Sequence, residues 1–537
     1  MKKREVFFRA LPWLLLAAAY AATVLFCARD LMHNLDADMS SEMVFADLLN
    51  REGRLLTDSW YYSSELRVVS PVPLFQLGLL LFDSWHAARV FATALMLAGI
   101  VAAFLYFAQK ARLGEAGIYI AAVLAMPFSD VYAYVGFLNG GYSVYLMLVF
   151  VLLGLVLGLE SSAARGRLPR LLLIAALSLW GGAGGVRMML FLALPLAGAY
   201  VLEAFDAVRR SGRFLLPAQL AWPLLGAAVA AVMTALGYLF NESVLGSLYD
   251  YVQYDQMGLA MPQAELFFAQ LTGIAEFFGY RQASRMFSAR GVASLLALCM
   301  MGLCALALVE MLIRRREGRL ATHHSVLLIF TLLSVALGVV INALTENYFA
   351  RYYLPGLLML IVTLAVCWQG TVCACMTLRR LMLLAVTAVF AMNAVIYVRQ
   401  EKRADTAPYE AAAQWLLENG YTQGFATFWN ASPLTEASDG AITVFTMPDP
   451  YWQDDFMRLE MNRFLQEKAN IEAVESGAVE GPVFVLLTGE ELAKGPPYAR
   501  QERLACRLEA GDVYIYESLA QLRDACGEAT REGQGDE

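Results

Sequence analysis

Several common catalytic signatures are absent from this sequence. It has no phosphate-binding loop, no glycine fingerprint of a dinucleotide fold, no Gly-x-Ser-x-Gly elbow and no His-Glu-x-x-His pair. The missing phosphate-binding loop argues against an ATP-driven pump. The eight cysteines are scattered and form no pair of pairs of the kind that binds structural zinc.

Charge is scarce as well. Only 16% of the residues are charged, and the net charge is −8 with a sequence pI near 5.3. No stretch carries the dense basic patch that binding to a phosphate backbone requires. Nucleic acid is therefore excluded as a partner.

Apolar residues, by contrast, are in excess. Of the 537 residues 59% are hydrophobic, and the mean hydropathy is +0.53. These values are typical of a polytopic α-helical membrane protein with one polar appendage. A bilayer core of about 30 Å needs about 20 apolar residues per helix. We predict eleven spans, at residues 9–28, 87–108, 113–128, 142–159, 170–184, 187–205, 215–240, 291–313, 324–344, 354–369 and 379–397.

The basic residues predict the orientation of these spans, because cytoplasmic junctions are enriched in lysine and arginine. Every second junction is basic, which predicts a multi-pass protein of the cell membrane with a cytoplasmic N-terminus and an extracytoplasmic C-terminal domain. The residues concerned are Lys2, Lys3 and Arg4; Lys110 and Arg112; Arg165, Arg167 and Arg170; Arg209, Arg210 and Arg213; Arg314, Arg315, Arg316 and Arg319; and Arg379 and Arg380.

The composition becomes polar after the last predicted span. We therefore divide the chain into a membrane domain (1–397), an extracytoplasmic α/β domain (398–526) and a disordered tail (527–537). Sequence patterns in the α/β domain predict helices over 409–419 and within 450–468, and strands over 424–429, 442–447, 483–487 and 513–516. Cys506 and Cys526 are the only cysteines of this domain. The sequence allows either a disulfide between them or two free thiols.

An acidic pair, Asp36 and Asp38, lies within ten residues of the end of the first span. Partial desolvation at a membrane boundary makes a carboxylate a stronger base, which suits a general base. The alternative is that Asp38 caps a helix predicted over 39–50. Glu42, one turn later, either orients the base, shares a metal with it or lies on a solvated face. The two aspartates could bind a divalent metal, but the local sequence offers no third ligand.

The rest of the first loop is amphipathic and aromatic. Met39, Met43 and Ala46 share one side of the predicted helix, which either rests at the headgroup boundary or packs on the C-terminal domain. Trp60, Tyr61 and Tyr62 follow, in the order of the chain. They either stack on a sugar ring or prenyl chain or belong to an interfacial aromatic belt.

Three arginines are predicted at the outer face: Arg67, Arg187 and Arg351. Arginine grips phosphate groups bidentately and keeps its charge, which suits a lipid-phosphate ligand. The alternative for each is a side chain that extends to the interface from a helix end.

This layout resembles the integral-membrane glycosyltransferases of the C fold type, which include protein O-mannosyltransferases and aminoarabinose transferases. The resemblance rests on the acidic pair, the amphipathic helix and aromatic stretch after it, and a late-loop Arg351 followed by Pro355. It implies that Asp36 or Asp38 is the base and that Arg351 holds phosphate. The implied reaction moves a sugar from a polyprenyl-phosphate donor to a cell-envelope glycan, lipid or protein. It proceeds by direct displacement with inversion, and membrane lipids surround the enzyme. No cofactor is implied beyond the possible divalent metal.

Two other classes of protein are open. A lipid or polysaccharide transporter should carry charges near the bilayer midplane, whereas charges here crowd the outer face, with Glu310 near an inner helix end. A non-catalytic envelope assembly protein would use its C-terminal domain to bind a partner.

The orientation predicts a labelling pattern. Single cysteines introduced near Asp38 and within residues 400–530 should react with an impermeant thiol reagent in intact cells, because both regions face outward. A single cysteine near Arg315 should react only after permeabilisation. Labelling near Arg315 without labelling of the C-terminal domain would reverse the orientation and remove the enzyme hypothesis with it.

Overall fold

A computed structural model gives the architecture of the chain. It describes residues 2–30, 35–63, 66, 68–138, 140–211, 217–251, 264–282, 284–345, 350–370, 376–400, 408–448 and 459–527.

Helices make up nearly all of the described chain up to residue 400. They are α1 (Lys2–Asp30), α2 (Ala37–Glu52), α3 (Val72–Leu81), α4 (Trp85–Lys110), α5 (Glu115–Leu124), α6 (Asp130–Ala133), α7 (Ser143–Gly158), α8 (Ala164–Ala183), α9 (Leu194–Ser211), α10 (Ala218–Ser243), α11 (Ala264–Phe277), α12 (Ala289–Arg316), α13 (Thr322–Leu344), α14 (Leu354–Gly370) and α15 (Met376–Gln400). π-Helical turns at Tyr134–Leu138 and Met189–Ala193 and a 3-10 turn at Ala350–Tyr353 interrupt the series.

Each of the eleven predicted spans falls on a helix. Within the described residues, eight helices are long and apolar enough to cross a membrane. A ninth crossing forms if the segment Asp130–Leu138 and α7, which meet at 84°, are taken as one broken span. At 1.5 Å per residue the ten-residue α5 is about 15 Å long, about half of a bilayer core. A count of eleven is reached only if α5 and α8 also cross.

Helices α8 and α10 pack closely, and this contact depends on glycine. A Cβ atom on Gly182 would lie 2.1 Å from the carbonyl oxygen of Thr234, and one on Gly237 would lie 2.1 Å from that of Leu179. Small residues let helix backbones approach in this way inside membranes, where van der Waals contact drives helix association.

The C-terminal domain is an α/β unit, as predicted. Its elements are α16 (Pro408–Glu418), β2 (Gln423–Thr427), α17 (Phe428–Ala437), β3 (Thr443–Met447), β4 (Gln466–Glu467), α18 (Lys468–Glu475), β5 (Val483–Leu487), α19 (Gly489–Leu492), β6 (Leu504–Leu508), β7 (Gly511–Tyr516) and α20 (Leu519–Ala525). One sheet has the order β3-β2-β5-β7-β6, with β3, β2 and β5 parallel and β7 antiparallel to both of its neighbours. The central β5 is buried along its whole length, as expected for a strand covered on both faces.

The helix predicted within 450–468 is tested only over its later part. Residues 459–467 contain no helix, and α18 begins at Lys468. Residues 449–458 lie outside the described residues, as do residues 528–537 of the predicted tail. Neither Cys506 nor Cys526 takes part in a disulfide in the structure.

The first loop and the C-terminal domain share a small sheet. Strand β1 (Trp60–Tyr61) pairs antiparallel with β4, and Trp60 lies opposite Glu467. The backbone N–H of Lys468 donates to the Ser59 carbonyl at 2.9 Å. Helix α17 packs on α2 of the same loop. The domain is therefore attached to the loop by backbone pairing as well as by side chains.

The glycine contact between α8 and α10 generates a stability prediction. Gly237→Ala should destabilise the protein by about 1–3 kcal/mol, because the added methyl group overpacks two backbones that cannot separate. Gly302→Ala is the matched control, since a Cβ there meets nothing within 4 Å and alanine favours a helix by about 0.5–1 kcal/mol. Thermal unfolding in detergent measures both, and equal shifts in the two variants would contradict the proposed packing.

Candidate functional site

Asp36 is the N-cap residue of α2. Its backbone is extended, and its carboxylate oxygen Oδ1 accepts the backbone N–H of Met39 at 2.8 Å. Aspartate is favoured at this position because it satisfies one of the free amides of the first turn. The alternative that assigned the cap to Asp38 is therefore wrong, since Asp38 lies within the first turn and α2 begins at Ala37.

The second oxygen of Asp36 faces a different part of the chain. The hydroxyl of Tyr134 donates to Asp36 Oδ2 at 2.5 Å. Tyr134 opens the π-helical turn that follows α6, and turns of this kind redirect side chains and are frequent at functional sites. Its side chain is 39% exposed. Asp36 is thus held through both oxygens beside an open surface.

Glu42 is buried beneath this site. It is 3% exposed, so the solvated face considered for it is wrong. It lies against Gly140, which has φ +75° and follows the π-helical turn. A Cβ atom on Gly140 would lie 2.9 Å from Pro71 and 3.5 Å from Glu42 Oε2, so the turn packs closely on α2.

The donor set at the acidic pair does not make a metal site in the described part of the chain. A divalent cation needs several oxygen ligands, and no three histidine, cysteine, aspartate or glutamate side chains come together among the described residues.

Arg187 lies beside the start of α7, shortly after the π-helical turn at Tyr134–Leu138. Its guanidinium is 5.0 Å from the ring centre of Tyr142 and 5.8 Å from that of Tyr145, both of which are buried. The Tyr145 hydroxyl donates to the Gly184 carbonyl at 2.6 Å, which fixes the end of α8. The α8 side chain Trp180 donates to the Val68 carbonyl of the first loop at 3.1 Å.

Arg351 lies in the 3-10 turn before α14. It is half-buried in its 3-10 turn, with the guanidinium 5.8 Å from the Tyr352 ring. The neighbouring Tyr353 donates to Gln270 of α11 at 2.6 Å. Because α11 also packs on α6, the turn of Arg351 and the segment of Tyr134 contact the same helix. Arg67 lies outside the described residues.

The aromatic residues of the first loop are core residues. Trp60 and Tyr62 are 1% and 0% exposed and pack on Phe45 with ring centres 5.1 and 5.5 Å apart. They neither form an interfacial belt nor present a free face to a ligand. Tyr61 is half-buried, with Lys468 of the C-terminal domain 5.3 Å from its ring.

The amphipathic helix faces the C-terminal domain. Met39, Met43 and Ala46 are fully buried, and α2 packs on α17. The alternative that placed this side of the helix at the headgroup boundary is therefore wrong.

The C-terminal domain places Tyr409, whose role was not predicted, within electrostatic range of Asp36. Its hydroxyl donates to Asn430 at 3.1 Å. Burial, and then the carboxylates of Glu491 and Asp36, raise the pKa of the Tyr409 phenol to about 12. The phenol is therefore neutral at physiological pH, and it lies close enough to Asp36 to sense its charge.

A second contact that the sequence analysis missed is a buried ion pair. Arg89 of α4 and Glu436 of α17 face each other with side chains that are 1% and 0% exposed. An ionisable residue inside an apolar span is a signal in its own right. Arg89 lies in the predicted span 87–108. The only charge that the sequence analysis considered within a span was Glu310, which belongs to a different span.

The fold is that of a solved membrane protein. ArnT from Cupriavidus metallidurans in the apo state is similar at a TM-score of 0.53, with 14% identity, over 94% of this chain and 98% of that one. ArnT from the same organism bound to undecaprenyl phosphate gives the same TM-score and identity over 96% and 99%. No family model and no curated protein matches the sequence.

These neighbours define the class of fold. The chain is a polytopic membrane protein with the C fold type of integral-membrane glycosyltransferases. Its architecture is that of ArnT. The resemblance inferred from the first loop is confirmed at the level of the fold.

Proposed function

We propose that this protein is a membrane glycosyltransferase that moves a sugar from a polyprenyl-phosphate donor to a cell-envelope glycan, lipid or protein at the outer face of the membrane. The observation that carries the proposal is the Asp36 carboxylate, which the Met39 N–H and the Tyr134 hydroxyl orient where the first loop meets the Tyr134 turn. The fold supports it, and so does a fold neighbour that binds undecaprenyl phosphate.

The proposed reaction is a direct displacement. An acceptor hydroxyl attacks the anomeric carbon of the donor sugar while the bond from that carbon to the phosphate oxygen breaks, and the phosphate leaves with the bonding electrons. The attacking oxygen loses its proton to a carboxylate, which is general base catalysis. Attack opposite the leaving group inverts the anomeric centre.

Asp36 is the better placed of the two aspartates for this role. Its oxygens are oriented by the Met39 N–H and the Tyr134 hydroxyl, and Tyr134 lies at an open surface. A base held in one orientation loses less entropy when it takes up a proton from the acceptor. Asp38 remains the second candidate because it lies in the same turn and is partly exposed.

Arginine side chains supply the phosphate site in this proposal. Arg351 and Arg187 are both half-buried beside aromatic rings, which limits their motion and leaves the guanidinium charge in place. A leaving phosphate gains negative charge as its bond breaks, so a fixed guanidinium stabilises the transition state. We assign Arg351 the larger role, with Arg187 and Arg67 in support.

The acidic pair is tested by conservative substitution. Asp36→Asn should lower turnover by about a hundredfold or more, the usual size of a general-base contribution. Its stability should change little, because asparagine is also a good N-cap. Transfer of labelled sugar from a polyprenyl-phosphate donor, measured with purified protein in detergent, gives turnover, and thermal unfolding gives stability.

Asp38→Asn decides between the two carboxylates in the same assay. Asp47→Asn is the control, since Asp47 belongs to the same helix and pairs with Arg51 at 3.0 Å away from the cap. If Asp36→Asn transfers at the parental rate and Asp38→Asn does not, the base is Asp38. Parental rates in both variants would refute the catalytic assignment and favour a transporter or an assembly protein.

Arg351→Lys tests the phosphate site. Lysine keeps the charge but loses the bidentate fork, so the donor KM should rise about tenfold or more. Arg503→Lys is a matched control, because Arg503 lies 5.7 Å from the Tyr516 ring in the C-terminal domain. An unchanged donor KM for Arg351→Lys would leave Arg351 as an interfacial anchor.

A further inference from the structure

The ion pair between Arg89 and Glu436 joins the two domains inside the protein. Arg89 Nη2 donates to Glu436 Oε2 at 2.7 Å, and Arg89 Nε donates to Glu436 Oε1. Neither side chain contacts solvent to a meaningful extent. Removing one partner of such a pair leaves a buried charge uncompensated, so the two residues hold each other in place.

Arg89 makes a third hydrogen bond that leads to the candidate base. Its Nη2 donates to the backbone carbonyl of Met39 at 2.9 Å. Met39 is also the residue whose N–H is capped by Asp36. Met39 of α2 thus accepts a hydrogen bond from Arg89 at its carbonyl and donates one to Asp36 from its N–H. The Phe75 ring, 5.0 Å from the guanidinium, supports Arg89 from α3.

The C-terminal domain has other attachments that do not involve this pair. Asp439 accepts the backbone N–H of Trp85 at the start of α4 at 2.7 Å. A Cβ atom on the following Gly440 would lie 2.6 Å from the Trp85 ring, so the two segments are in close contact. Strands β1 and β4 form a further link. Docking therefore has several supports, while the link to Met39 runs through Arg89.

We propose that Arg89 and Glu436 are positioning residues, through which the C-terminal domain sets the position of Asp36. Glu436 orients the guanidinium of Arg89, and Arg89 holds the first turn of α2 by the Met39 carbonyl. This positioning role depends on the proposed function in one respect, which is that Asp36 is taken as the base. It gives the C-terminal domain a role in turnover without direct contact with a substrate.

A positioning role predicts a specific kinetic pattern. A shift of about 1 Å in a reacting group can lower the rate by about a hundredfold. Because neither residue is assigned to a substrate, the KM values for donor and acceptor should stay near parental while kcat falls. A purely structural role would instead lower the amount of folded protein and leave the kcat of the folded fraction unchanged.

The decisive variant removes both charges together. Replacing a buried ion pair by apolar residues of similar volume is often neutral for stability. The Arg89→Met, Glu436→Met double variant should therefore stay folded and docked but lose the bond to the Met39 carbonyl. We expect kcat to fall about ten- to a hundredfold at unchanged KM. Parental kcat in the folded double variant overturns the proposal.

A second double variant controls for loss of an ion pair between helices in general, at a pair whose side chains are 14% and 20% exposed. Arg380 and Glu115 pair at 2.9 Å between α15 and α5, at the opposite end of α5 from the Tyr134 segment. Arg380→Met combined with Glu115→Met should keep kcat within about twofold of parental. An equal loss of kcat in this control would show that the effect is not specific to the Met39 link, and would overturn the proposal.

Hydrogen exchange tests the same link without any transfer assay. In Glu436→Gln, which keeps the shape of the side chain, the amides of the first turn of α2 should exchange at least about threefold faster. The amides of β5 should exchange at the parental rate. Unchanged exchange in α2 overturns the proposal, and this result decides the matter if the double variant does not fold.

The two proposals fail separately. If parental protein transfers no sugar from any polyprenyl-phosphate donor, the proposed function fails, yet exchange in α2 still reports on the link. If transfer depends on Asp36 but α2 and kcat do not respond to Glu436, the positioning role alone is lost.

Discussion

A guanidinium and a carboxylate that are both shielded from water must stay together, because each alone would carry a desolvated charge. Arg89 and Glu436 are such a pair, and they lie 347 residues apart in the sequence. The constraint fixes α17 of the C-terminal domain relative to α4 of the membrane domain. Since Arg89 also binds the Met39 carbonyl, the same constraint fixes the start of α2. The geometry of the acidic pair follows from this arrangement.

The surrounding contacts make the first loop a rigid support. Trp60, Tyr62 and Phe45 form an aromatic core beneath it, and β1 extends the pairing to β4. A functional carboxylate on a loop needs such support, since mobile loops position reacting groups poorly. The aromatic residues therefore act on the site through the shape of the loop. Their burial also explains why a sugar-stacking role, suggested by their residue type, does not fit the structure.

The sequence predicted features that depend on local pattern. Apolar runs predicted the helices, and the short apolar run at Val483–Leu487 predicted a strand. The position of the acidic pair predicted the fold type, which the similarity to ArnT confirms. Capping was misassigned by two residues because Asp36 and Asp38 are equivalent in type and only the backbone dihedrals separate them.

The sequence did not predict contacts between distant segments. Tyr134 contacts Asp36 from a π-helical turn, and no local sequence pattern predicts that turn. Glu42 is buried where α2 meets Gly140, about a hundred residues later in the chain. Arg89 carried a usable signal, a charge within an apolar span, but its partner Glu436 lies in α17, a short and largely buried helix that the sequence patterns did not predict. Long-range pairing of this kind requires the folded structure.

Asp36 has two duties in the proposed mechanism, and the geometry lets it perform both. Capping uses Oδ1, which accepts the Met39 N–H, and leaves Oδ2 to take the proton from the acceptor. A protonated carboxyl group still accepts a hydrogen bond at its other oxygen, so the cap survives proton uptake. The Tyr134 hydroxyl, which donates to Oδ2 in the ionised state, is able to rotate and accept from the new O–H. The helix start can therefore remain in place through the catalytic cycle, as required of a base whose helix is held by Arg89 through the Met39 carbonyl.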